Sequence, residues 1–178
     1  FAFGPAMENT PIIYKGRPII AMNHRDDSGG PGKYTDKMHL YIRDLNTGDQ
    51  LETFGQGFSF VSAIVRKVPD GEELNVFASQ GTDADWFHDI HRFTTTDLKT
   101  WKREMAVARE GGEHLLNSSV CRDPHGYLMA YESNEPVKFC FKFARSKDLA
   151  KWDKIPGLIF RGTGNEYSAC PVIRYAEP

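Results

Sequence analysis

The chain has 178 residues, 40% hydrophobic and 26% charged, with a formal net charge of −2. That is the composition of a globular domain long enough to bury a real core, and it lacks the basic excess that nucleic-acid binding draws on. No apolar run approaches the roughly 18 residues of a membrane-spanning helix, so neither nucleic acid nor a membrane is expected as a partner, and the oligomeric state is open.

In chain order the text is a succession of short strands. "NTPIIYKGR" (9–17), "RPIIAM" (17–22) and "MHLYIRDL" (38–45) come first, then "SAIVRKVPDG" (62–71), "LNVFAS" (74–79) and "DIHRFTTT" (89–96). "SSVCRDPHG" (118–126), "YLMAYE" (127–132) and "KFCFKFARS" (138–146) repeat the series, and "ACPVIRY" (169–175) starts it again. Several of these runs alternate apolar and polar residues with the two-residue period of half-buried strands. Gly and Pro turns such as "YKGRP", "VPDGE" and "DPHGY" separate them. No amphipathic helix is predicted.

The series has a fixed spacing. Tyr14, Arg66, Arg122 and Arg174 close the first strand of each unit at steps of 52, 56 and 52 residues. "TTTDLKTW" (94–101) and "RSKDLAKW" (145–152) place their Asp and Trp residues 51 apart. Four short strands per unit of about fifty residues is the signature of a β-propeller blade. The predicted fold is therefore all-β, with blades over about 8–57, 58–112 and 113–164 and a fourth starting at 165–178. A β-sandwich has no need of this repeat, and Trp-Asp propeller blades are shorter. Asp-Leu-x-x-Trp is expected at the turn into the fourth strand, where the hydroxyl and Asp bond nearby backbone and the Trp covers the blade. Three blades and a strand leave a ring unclosed, with open edges, so the chain is expected to be part of a longer protein. Cys121, Cys140 and Cys170 fit no metal spacing and are expected to be small buried hydrophobes.

The repeated [ST]-x-D-L-x-x-W turns, first-strand runs such as "NEYSACPVIRY" and the blade length resemble the five-bladed propeller glycosidases. These are glycoside hydrolase families 43 and 32, the arabinanase, levansucrase and invertase superfamily. The resemblance spans the whole chain, and its motifs mark scaffold more than reaction. It implies a glycoside hydrolase acting on a polysaccharide or oligosaccharide, with carboxylates from several blades around a central cavity and a secreted or periplasmic setting. Hydrolysis needs one protonated and one ionised carboxyl facing each other across the glycosidic bond. No cofactor is implied. A central Ca²⁺ is compatible with such a cavity, although no residue spacing calls for it.

Blade topology sorts the candidates. Turns after the first and third strands fall on the lower rim, which removes Asp44, Asp97, Asp123 and Asp148. The upper rim gathers Glu8, Asn9, His24, Arg25 and Asp26 from the first unit and Asp85, Trp86 and His88 from the second. Glu113, His114, Asn117, Glu132 and Glu135 come from the third, and Glu166 from the fourth. The expected catalytic residues are Glu8, Glu132 and Glu166, with Glu166 or Glu132 as the acid and Glu8 as its partner. Asn9, His24, Arg25, Asp85, Trp86, His88 and Asn117 are the expected sugar contacts, and none of the histidines has metal-ligand spacing. The family carries Asp at the start of the first strand where this chain has Glu8-Asn9, and "FSFVSA" opens the second blade with no acid. Two alternatives therefore stay open: a propeller that binds carbohydrate without cleaving it, and a protein-interaction scaffold.

Overall fold

The computed structural model describes residues 8–25, 37–82, 86–137, 139–163 and 166–177. Asp26 and Asp85 lie outside them. Twelve strands and no helix are present among the described residues. They form three antiparallel four-stranded sheets, each a simple meander. The first sheet holds β1 (Asn9–Tyr14), β2 (Arg17–His24), β3 (His39–Asp44) and β4 (Gln50–Phe54). The second holds β5 (Phe58–Val68), β6 (Gly71–Gly81), β7 (Phe87–Thr95) and β8 (Lys102–Val107). The third holds β9 (Leu115–Asp123), β10 (Gly126–Ser133), β11 (Cys140–Ser146) and β12 (Asp153–Phe160). These are the blades that the repeat predicts. β5 packs beside both β1 and β9, so the first strand of each blade is innermost.

Blades join face to face through apolar side chains. Ile19, Ala21 and Leu40 of the first sheet meet Phe58, Val61 and Leu74 of the second. Phe77 and Ile90 of the second meet Leu115, Met129 and Tyr131 of the third. The repeated turn explains the repeated sequence. Asp97 Oδ1 accepts from the Lys99 and Thr100 amides at 2.8 and 2.7 Å, and Asp148 Oδ1 from Ala150 and Lys151 at 2.8 and 2.9 Å. Thr95 and Ser146 hydroxyls accept from the next Leu amides at 2.9 Å each. Those leucines take left-handed φ of 63° and 67°, a conformation that such bonds help to hold. Backbone donors pull the Asp97 and Asp148 carboxyls below the usual carboxylate range.

Each turn delivers its Trp to the preceding blade. Trp101 stacks on Phe54 of β4 with centroids 3.6 Å apart, and Trp152 meets Phe77 of β6 edge-on at 5.6 Å. The lower rim repeats as well: Lys15 Nζ donates to Thr96 O at 2.7 Å and Arg66 to Asp148 O at 2.8 Å. Asp123 sits in that rim, accepting from Arg145 at 2.8 Å and from the His125 amide. Gly126 follows in the same turn at φ 129°, and a Cβ there would lie 2.5 Å from the Ser146 carbonyl, so only glycine fits.

Candidate active site at the head of the central channel

β1, β5, β9 and the segment 170–175 line an open channel of about 710 Å³. Thr10 and Pro11, Ser62 and Ala63, and Ser118 and Val120 line its wall, and Ser62 Oγ lies 2.8 Å from Ser118 Oγ. At the upper end two inner strands carry β-bulges. Between Ser59 and Ser62 the register of β5 slips, with Phe60 at φ 59°. In β9, Ser118 faces Tyr131 while Leu116 faces Glu132, which leaves Asn117 as the extra residue at φ 27°. Bulges of this kind re-aim a side chain, and Asn117 is turned into the channel wall.

Glu132, next to that bulge on β10, is 1% exposed. A buried carboxylate must be matched by donors, and three converge on it. Asn117 Nδ2 donates to Oε2 at 2.8 Å, the Cys170 amide to Oε2 at 3.2 Å, and the Tyr167 hydroxyl to Oε1 at 3.1 Å. Glu8 lines the same channel, with Oε2 buried. Both carboxylates are felt by the residues between them. Burial, then the charges of Glu132 and Glu8, push the Cys170 thiol up. Desolvation of its hydroxyl, then Glu132 and more weakly Glu8, raise the Tyr167 phenol to about 12. Two acids from different blades thus share one electrostatic environment. With Glu132→Gln the Tyr167 phenol should fall below about 12 yet stay above the ordinary 10.0, because desolvation and Glu8 persist. A ¹³C-tyrosine NMR titration, assigned with Tyr167→Phe, reads this directly, and an unmoved phenol would contradict the contact.

Of the other predicted residues, Asn9 and Asn117 line the channel. His24 stacks on His39 at 4.9 Å at the upper end of the first blade, and the Arg25 guanidinium covers Phe60 at 5.2 Å, beside the β5 bulge. Trp86 packs with the apolar group of Met38, Phe60, Phe87, Leu116 and Phe139 rather than in the channel wall. His88 is half-buried on β7. Glu166 is exposed and folds back on Thr163, accepting from its amide at 2.9 Å and its hydroxyl at 3.0 Å; it is not part of the channel lining. Its neighbour Tyr167 reaches the buried acid instead.

Glu113 shows the contrasting case of a buried acid with a structural role. Lys142 Nζ lies 2.5 Å away, Lys154 Nζ 3.6 Å, and Ser133 Oγ donates at 2.8 Å. Burial pushes its carboxyl up, but the bonds from Lys142, Ser133 and the backbone outweigh it and hold it below the usual range. Cys140 is buried as expected, whereas Cys121 is half-buried and Cys170 is exposed on the channel wall. All three are free thiols. Among the described residues no group of three or more His, Cys, Asp or Glu is gathered to hold a metal.

No protein-family model and no curated protein sequence matches the chain. Solved structures do share its fold. A glycosyl hydrolase from Bacteroides ovatus superposes with a TM-score of 0.52 at 14% identity. A second structure superposes at 0.50, also at 14% identity; it belongs to work on the GH130 family of mannoside phosphorylases, which contains glycoside hydrolases that target β-1,2 mannosidic linkages in Candida mannan. Each superposition covers 86% of this chain and 49% of the other, so the chain spans about half the length of the structures it matches. At this identity the likeness is one of fold: a blade architecture that carries glycoside hydrolases.

Proposed function

We propose that the chain is a propeller domain of the five-bladed glycosidase type, related to families 43 and 32, which binds a glycan at the upper mouth of its channel and hydrolyses a glycosidic bond there. One observation carries the reading: a fully buried acid, Glu132, with Asn117, Tyr167 and the Cys170 amide turned toward it, directly behind Asn117 and Cys170 of a channel wall that Glu8 also lines. The fold neighbours support it by association. Three donors make Glu132 a hydrogen-bond acceptor. It is assigned the base or nucleophile role, and Glu8 the proton donor to the leaving oxygen. This reverses the roles expected from the sequence and leaves Glu166 outside the reaction.

The same three bonds favour a second reading, in which Glu132 only organises the mouth and the propeller binds sugar without cleaving it. Incubation with chromogenic glycosides, β-1,2-mannobiose and a polysaccharide panel separates the two. Release of reducing sugar is the expected result. Binding without release would select the second reading, and neither binding nor release would contradict both.

A further inference from the structure

We infer that Tyr167 is a specificity residue of this site with two separable roles: its exposed ring is a platform for the apolar face of a pyranose, and its hydroxyl positions Glu132. The inference rests on the carbohydrate reading above and extends it to a residue outside every strand. Tyr167 is 64% exposed although its hydroxyl is tied to a carboxylate that is 1% exposed. Phe139, itself 5% exposed, meets the ring edge-on at 5.1 Å. Held at its tip by Glu132 and at its side by Phe139, the ring stays largely open to solvent, three residues before Cys170 of the channel wall. Such a fixed aromatic face suits a sugar ring, because little freedom is lost on binding.

Asn117 supplies the second contact. Its side chain is 8% exposed, its Nδ2 is spent on Glu132, and its Oδ1 is buried with no hydrogen-bond partner. A buried acceptor left empty costs stability, and a ring hydroxyl of a sugar lying on Tyr167 would fill it. An unfilled acceptor takes a hydroxyl donor and repels an anion, so the ligand class is a neutral, hydroxyl-bearing ring.

Two variants separate the roles. Tyr167→Phe keeps the ring and removes the hydroxyl; Tyr167→Ala removes both. Tyr167 lies outside the strands, and melting temperatures check that both variants fold. Binding is read by saturation-transfer NMR with the methyl β-glycosides of mannose, glucose and galactose, and turnover with 4-nitrophenyl β-mannopyranoside. Tyr167→Phe should bind within about threefold of the parent, whereas Tyr167→Ala should bind at least about tenfold more weakly. Turnover by Tyr167→Phe should show kcat lowered about tenfold with KM unchanged. Parent-like binding by Tyr167→Ala would remove the platform, and parent-like kcat in Tyr167→Phe would remove the positioning role. A parent that binds none of the three sugars would overturn the carbohydrate reading itself, and the platform with it.

Discussion

Trp152→Ala should lower the melting temperature by roughly 6–12 °C while leaving glycan binding intact. Trp152 stands just before β12, and its ring meets Phe77 of the neighbouring blade at 5.6 Å and 88°. It joins the apolar cluster shared by Ile90, Leu115, Met129 and Tyr131, and its indole N–H donates to Leu149 O at 2.8 Å. Removing it opens a cavity between two blades and deletes one bond of the Asp148 turn. A fully buried Trp lost to Ala costs about 3–5 kcal/mol; this one is half-buried, so about 3 kcal/mol is the expected loss. At this chain length each kcal/mol moves the midpoint by about 2–4 °C. The channel lining does not include Trp152. A variant that melts like the parent but loses its ligand would put this residue at the wrong end of the blade.

That prediction rests on the part of the molecule most legible in the sequence. The Asp-Leu-x-x-Trp turn advertises itself because each residue type has a local structural role. Hydroxyl and carboxylate bond adjacent amides, Leu98 and Leu149 take left-handed φ, and the Trp crosses to the preceding blade. Such local roles recur at the repeat spacing, so Asp97 and Asp148 betray the scaffold 51 residues apart. Placing Asp123 in a lower turn followed from the same logic, and its bonds to Arg145 and the His125 amide match that position.

The candidate site was legible only in part, for a physical reason. Glu132 ends the alternating run "YLMAYE", and Asn117 precedes "SSVCR"; strand periodicity brought both to the upper end. The bulge that turns Asn117 toward Glu132 leaves no mark in the period, since one extra residue in β9 resembles ordinary scatter in the repeat. In "GNEYSA" the carboxylate of Glu166 stands out, yet residues 166–169 are outside any strand and alternation says nothing about which side chain turns inward. Glu166 bonds its own loop at Thr163 while Tyr167 crosses to β10. Tyr167 and the Cys170 amide carried no signal beyond their nearness to Glu166.

The effect with the largest expected size belongs to Glu132 itself. If Glu132 accepts a proton or forms the bond to the sugar, Glu132→Gln keeps the size of the side chain and removes that chemistry. General acid–base groups contribute about 10²–10⁴-fold to rate, and the loss should appear in kcat. Because Glu132 also holds Tyr167 and Cys170, the melting curve and sugar affinity of the variant must be recorded beside its rate. Glu8→Gln gives the independent arm, since Glu8 makes none of those three bonds. The decisive measurement is the turnover number of parent, Glu132→Gln and Glu8→Gln on one cleaved glycoside, each variant shown to be folded and saturated with substrate. The account predicts that both variants lose at least about a hundredfold in kcat while still binding the sugar. Parent-like turnover in either variant would contradict the proposed roles of Glu8 and Glu132.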